Sequence, residues 1–435
     1  MTAIAPSLAS SRIVLRPSIP ICQTDLPLDW YQEEFRPYAE EYLALPDRTP
    51  ESVVPWMDSY IRPALDELGP RIMLLAHYYM GGEIVKLVER YGGHIADSYA
   101  LARQTVLNPE KKLFVESAVH FMAESIALLA ADDQAVYITN PKSGCTMEMM
   151  AKDFMIQPLF ERLRVRYGDD LLVIAYMNTS GRVKALAGAT GGAVCTSSNA
   201  GRIMRWALEQ KKRILFVPDE HLGRNVAAEV GIPPEAIFKL PGGHQGADFD
   251  VASAPELDGA RLLLWGSFCG VHTVFKPSHV AHWRERGYRV VVHPECPREV
   301  VALADGAGST SYLWNEVLAA PSGSRFAVAT EGHFVRNLRE QAQLRGIEVH
   351  HLAEIPGESG AGCGCATMSR NDPPHLVALL DLLRRDRAPD LNRVLPGDSV
   401  DEISGYRERL APERRAALCR DARRALERMI EITER

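Results

Sequence analysis

At 435 residues the chain has the length of about three domains of roughly 150 residues each, with the 46% hydrophobic and 24% charged content of an ordinary soluble globular protein. A net charge of −7 and a pI near 6.0 give no reason to expect a nucleic acid or an anionic membrane as partner. No apolar run approaches the ~18 residues of a membrane span, and eight cysteines without a visible secretory signal favour metal or catalytic use over a disulfide framework.

Residues 1–50 read as an irregular, Pro-rich N-terminal arm with a short helix near Pro37 to Leu45. The first 24 residues hold two arginines and no acidic residue, mildly like a transit peptide, although a disordered bacterial N-terminus is the preferred reading. Residues 51–68 read as a helix leading into the first of three α/β units, at 51–150, 151–275 and 276–370.

The three units share one plan, and such internal repetition outranks any single motif. The first opens with strand Arg71–Ala76 and His77-Tyr78-Tyr79, followed by a helix over Glu83–Tyr91 and the turn Ala96-Asp97-Ser98. Strand Leu113–Val115 then leads to Glu116 and His120, and strand Ala135–Thr139 to Cys145. In the second, strand Leu171–Ala175 runs into Tyr176-Met177-Asn178 and the turn Thr196-Ser197-Ser198. Strand Ile214–Val217 follows, with Glu220-His221, and strand Leu262–Trp265 leads to Cys269 and His272. In the third, strand Arg289–Val292 precedes His293-Pro294-Glu295 and the turn Ser309-Thr310-Ser311. Strand Phe326–Ala329 then leads to Glu331-Gly332-His333, and strand Glu348–Leu352 to Cys363-Gly364-Cys365. Residues 371–435 read as C-terminal helices: Leu376–Leu383 is amphipathic, and the charged, Arg-rich pattern of Pro412 to Glu434 reads as a solvated helix face.

Strands alternating with helices indicate parallel sheets. Right-handed crossovers put the residues that follow each strand at one sheet edge. Three such edges facing one another would enclose one site. The fold expected is therefore α/β, with three pseudo-repeated Rossmann-like units arranged as a triangle around a central site.

Cys145, Cys269 and Cys365, one per unit and 124 and 96 residues apart, are unlike the close pairs of zinc fingers or ferredoxins. Three thiolates suit a four-iron cluster with one open iron, or Zn²⁺ with an open fourth position. Three core thiols are the alternative. Cys195 and Cys296 read as core, while Cys22 and Cys419 lie in the arm and the tail. His77, His272, His293 and Glu295 are candidate acid–base groups. Ser98, Ser197 and Ser309 with Thr310 are candidate anion binders at helix starts, although ordinary helix caps look the same.

Together these residues resemble quinolinate synthase, the A protein of bacterial NAD biosynthesis. The segments AHYY (76–79), ADSYALAR (96–103), VHFMAES (119–125), SGCTME (143–148), AYMNTSGRVKA (175–185) and VCTSSNA (194–200) carry the first half. FVPDEHLGRN (216–225), CGVH (269–272), VVHPEC (291–296), GSTSYL (308–313), ATEGHFV (329–335) and CATM (365–368) carry the second. The resemblance implies a [4Fe–4S] cluster held by Cys145, Cys269 and Cys365 at the centre of a triangular fold. It implies a cytoplasmic enzyme that condenses iminoaspartate with dihydroxyacetone phosphate, losing phosphate and water, and that is coupled to an L-aspartate oxidase or dehydrogenase.

By motif the active-site residues it carries over are His77, Tyr79, Ser98, Tyr176, Asn178, Ser197, His272, His293, Glu295, Ser309 and Thr310. Within that set, residue chemistry suggests proton transfer by Tyr79, Tyr176, His293 and Glu295, and substrate binding by His77, Ser98, Asn178, Ser197, His272, Ser309 and Thr310. The chain departs from the family pattern at Met80, at the segment before Cys145, and after Cys365. Cys365 is preferred over Cys363 as ligand because Met368 keeps a C-x-x-M spacing. Competing readings are another three-cysteine cluster enzyme, either a reductive dehydroxylase or a diphthamide-type enzyme, and a non-catalytic metal sensor.

Overall fold

A computed structural model describes residues 26–80, 83–210, 212–357, 364–402 and 404–435. Three parallel sheets organise them. The first has the order β2-β1-β3-β4, from β1 (Ile72–His77), β2 (His94–Ala96), β3 (Leu113–Ser117) and β4 (Ala135–Ile138). The second has the order β6-β5-β7-β9-β8, from β5 (Leu171–Tyr176), β6 (Ala193–Cys195), β7 (Arg213–Val217), β8 (Ile237–Leu240) and β9 (Leu262–Trp265). The third has the order β11-β10-β12-β13, from β10 (Arg289–Val292), β11 (Gly306–Ala307), β12 (Arg325–Ala329) and β13 (Glu348–His351). The long strands are unbroken apolar runs because helices cover both faces, as parallel sheets require; every residue of β5 and β9 is buried.

The expected α/β repeat is therefore present, with the strand order repeated in each sheet. The sequence reading missed the edge strands β2, β6 and β11, which have three, three and two residues. So short a strand shows no periodicity. It also missed β8, which adds a fifth strand to the second sheet.

The registers align the three units. Ala76 lies beside Ser117, Ala175 beside Val217, and Val292 beside Ala329. His77, Tyr176 and His293 therefore occupy equivalent positions, each just past its first strand's partner pair.

One C-terminal expectation needs correction. Helix Pro373–Arg384 is not amphipathic: Pro373 through Leu382 are all buried, because it lies between helix Arg36–Leu43 and helix Pro50–Leu68. Its buried Asp381 is neutralised by Arg384 and Arg385 and accepts a 2.6 Å hydrogen bond from Tyr38 Oη. Tyr31 Oη binds Asp372 at the same helix's start, so residues 31–42 are tied to the C-terminal part of the chain.

Helix Pro412–Glu434 is solvated on one face only. Ala422, Ala425, Leu426 and Met429 are buried against helix Gly181–Ala189. Arg423 donates to the carbonyls of Leu128 and Ala130, which end another helix. This long helix straps the second sheet's helical layer to the first's. Among the described residues no helix is long and apolar enough to cross a membrane.

Candidate active site

The C-terminal ends of all three sheets open into one cavity of about 670 Å³ of atom-free space, its mouth included. This is where open α/β sheets place ligands. Cys145, Cys269 and Cys365 line it, each from a different unit. So do His77, Tyr79, Ser98, Tyr176, Asn178, Ser197, His272, His293, Glu295 and Thr310. Ser309 lines an adjoining cavity that shares Ser197 and Ser198 as its wall. There it caps helix Thr310–Leu318 by accepting from the Tyr312 N–H. Cys195 and Cys296 are fully buried, as core thiols should be. Cys22 and Cys363 lie outside the described residues.

A chain of short contacts crosses the cavity. The Tyr176 hydroxyl donates to Glu295 Oε1 at 2.5 Å. Glu295 Oε2 lies 2.8 Å from His272 Nδ1 and 4.0 Å from His293 Nδ1. The His272 and His293 rings stack with centroids 4.6 Å apart. His272 Nε2 lies 3.1 Å from Thr330 Oγ1, which in turn lies 2.6 Å from Tyr79 Oη. The Tyr79 backbone N–H donates to His77 Nδ1 at 3.1 Å. His77, Tyr79, Tyr176, His272, Glu295 and His293 thus form one connected set drawn from three sheets.

Burial sets the protonation states. It drives His77 down to about 4 and His293 to about 3, so both rings are neutral at neutral pH. It pushes the Tyr79 and Tyr176 hydroxyls well up, and the Glu295 charge pushes them further. Burial also opposes ionisation of Glu295. The adjacent His272 ring and the hydrogen bond from the Tyr176 hydroxyl outweigh it and hold that carboxyl below its ordinary value. The three cavity thiols are raised by burial, with no cation to lower them. A metal would have to displace their protons.

Sequence reasoning missed two residues that hold the site together. Thr330 bridges Tyr79 and His272; its only signal was its place inside the segment ATEGHFV. Asp97 caps helix Ser98–Ala102 with one oxygen and accepts from the Ser311 hydroxyl of the third unit with the other. The recurrent Glu-and-His pairs after the second long strands do not converge. Glu331 lines the cavity, but Glu220 turns to Lys239 at 2.6 Å, and Glu116 is buried without a hydrogen-bond partner.

Comparison with known proteins then decides the family. The profile described as Quinolinate synthetase A protein (NadA) matches residues 61–392, which is most of the chain. The chain belongs to the quinolinate synthetase A family. A quinolinate synthase of Streptomyces coelicolor is 36% identical over 400 residues, covering 91% of this chain and 96% of that one. One of Halalkalibacterium halodurans is 36% identical over 329 residues, covering 75% and 85%. One of Corynebacterium glutamicum is 36% identical over 375 residues, covering 86% of each. The family match begins within helix Pro50–Leu68 and ends past the buried helix Pro373–Arg384, so it takes in all three sheets and the whole cavity lining.

Proposed function

We propose that this chain is a quinolinate synthase, condensing iminoaspartate with dihydroxyacetone phosphate to quinolinate with loss of phosphate and water. The observation that carries the reading is the meeting of three thiols from three sheets with the Tyr79–Thr330–His272–Glu295–Tyr176 chain in one cavity. A purely structural metal site would not need the second group.

The donor set fits a [4Fe–4S] cluster. Cys145, Cys269 and Cys365 are free thiols on one wall system, and three sulfur ligands leave one iron open. Cys269, His272 and Glu295 also lie close enough to one another to hold a single metal ion, so the donors at this end of the cavity favour metal whichever nuclearity is bound. When bound, such a cluster supplies a Lewis acid for loss of a hydroxyl.

The remaining roles belong to this chain's side chains. Ionised Glu295 takes a proton from the substrate carbon or nitrogen as general base, positioned by His272. Tyr79 and Tyr176, neutral and directional, donate to developing oxyanions. Neutral His293 relays a proton between them and the ring being closed. His77, Ser98, Asn178, Ser197 and Thr310 hold carboxylates and phosphate by charge-assisted hydrogen bonds, and Ser309 fixes the helix start that carries Thr310. Iminoaspartate is short-lived, so supply by an L-aspartate oxidase or dehydrogenase is part of the proposal.

The test is an anaerobic assay of iron-reconstituted protein with both substrates, scored by quinolinate. Quinolinate that disappears in Cys269→Ala supports the reaction and its dependence on the cluster. No product from protein with a verified four-iron cluster would overturn it in favour of another cluster chemistry.

A further inference from the structure

Two of the three sheets carry a buried carboxylate at the same place. β7 ends at Val217 with Asp219 two residues on, and β12 ends at Ala329 with Glu331 two residues on. The strand registers make these positions equivalent. Both side chains are fully buried.

Each carboxylate bonds in two directions. Asp219 Oδ1 accepts from the Leu222 N–H at 2.6 Å, capping helix Glu220–Val230. Its Oδ2 accepts from the backbone N–H of Cys269 at 3.2 Å. Glu331 Oε2 accepts from the Phe334 N–H at 2.9 Å, capping helix Gly332–Gln343. Its Oε1 accepts from the backbone N–H of Cys365 at 2.9 Å and lies 2.7 Å from His333 Nδ1. A Cβ on Gly364 would overlap the His333 ring, so the cysteine loop approaches this carboxylate as closely as a glycine allows.

Capping alone does not account for these residues. A serine or asparagine caps as well, and burying a full charge is costly unless it is well satisfied. The first sheet supplies the contrast. Its equivalent residue is Val119, which has no side-chain cap to offer. Its cysteine segment is held instead through Ser143, whose carbonyl accepts from the His120 N–H and whose hydroxyl donates to the Thr367 carbonyl.

We propose that Asp219 and Glu331 are positioning residues for the metal-binding thiols, each fixing one cysteine's backbone to a helix start. This rests on the four-iron reading above. Cys269 and Cys365 then differ from Cys145 in their backbone N–H groups. Their N–H groups are occupied by the Asp219 and Glu331 side-chain oxygens and cannot donate to cluster sulfur. Withholding these donors lowers a cluster's reduction potential, because that potential follows hydrogen bonds to sulfur. The same bonds also hold the two loops against ligand loss.

The test uses full-length, anaerobically reconstituted protein carrying Asp219→Asn, Glu331→Gln or Asp219→Ser, with Asp258→Asn, an exposed carboxylate paired to Arg166, as control. Asp219→Ser keeps a helix cap while removing the reach to Cys269, and Asn or Gln keeps a single acceptor that cannot hold both N–H groups, so the set separates a folding defect from the effect sought. Iron and sulfide content, the cluster's midpoint potential by mediated titration, and the rate of iron release to a chelator are measured. The expected result is a higher midpoint potential and iron release accelerated several-fold in all three, with the control unchanged. Potentials and release rates equal to wild type in variants that hold a full cluster would overturn this inference alone. Wild-type protein that assembles no four-iron cluster would overturn it together with the cluster reading.

Discussion

The Tyr176 hydroxyl donates to Glu295 Oε1 at 2.5 Å, joining the end of β5 in the second sheet to the turn after β10 in the third. Glu295 spends its other oxygen on His272, which follows the second sheet's Cys269. One carboxylate therefore registers two sheets against each other at the point where the thiols meet. Replacing Glu295 by Gln should lower quinolinate turnover by about a hundredfold or more, the usual worth of a general base, with iron content unchanged. Near-normal turnover would remove Glu295 from proton transfer.

Tyr176→Phe removes a donor that helps hold Glu295 below its ordinary value. With burial then less opposed, the carboxyl should protonate at higher pH. The acid limb of the kcat/KM profile should move upward while the cluster spectrum stays the same. An unmoved acid limb would mean that Tyr176 does not tune this group.

Cys145→Ala, Cys269→Ala and Cys365→Ser should each lose the cluster, read as iron and sulfide per chain and the visible absorption band. Cys195→Ser and Cys296→Ser should keep it, because both thiols are fully buried and outside the cavity lining. A cluster retained in Cys365→Ser but lost in Cys363→Ser would show that the third ligand has been misassigned.

His77 and His293 are buried and neutral, with values near 4 and 3 against an ordinary 6.5. Below pH ~6.5 the unfolded chain binds protons that the native chain refuses. Stability is therefore full above that pH and falls as pH drops towards 4, by about 1.4 kcal/mol per pH unit for each histidine. Urea midpoints of metal-free protein should fall between pH 7.5 and 5, and His77→Gln should show a shallower fall. An equal slope in the variant would rule out this account.

Helix Gly181–Ala189 touches helix Pro412–Glu434 backbone to backbone at Gly188, where a Cβ would overlap the Asp421 carbonyl. Gly188→Ala should destabilise the protein by about 1–3 kcal/mol, the usual cost of overpacking, by pushing the C-terminal helix away. Denaturant titration would show it. A neutral result would mean that the strap is loosely docked.

Much of the site was legible because chemistry in parallel sheets gathers at strand ends. Each long strand is an apolar run that stops abruptly at a polar or aromatic residue, so His77, Tyr176 and His293 could be picked out from the pattern, and Cys145, Cys269 and Cys365 from its third recurrence. Thr330 and Asp97 were not legible. Their importance lies in contacts to residues more than 200 positions away, Thr330 to Tyr79 and Asp97 to Ser311. The buried character of helix Pro373–Arg384 was hidden for a related reason. Its polar position Asp381, and Asp372 at its cap, find their partners in Tyr38 and Tyr31, more than 300 positions away.

The sequence alone determined the repeat, the parallel α/β class and the set of residue types that reach the sheet edges, because hydrophobic period and strand-end chemistry are local properties of the chain. Tertiary structure alone decided which of those ends share a cavity, that Glu295 is held ionised between Tyr176 and His272, and that Asp219 and Glu331 grip two cysteines while Val119 grips none. These facts depend on how three sheets meet, and on burial that lowers the local dielectric and magnifies each charge. No single unit's sequence contains that information.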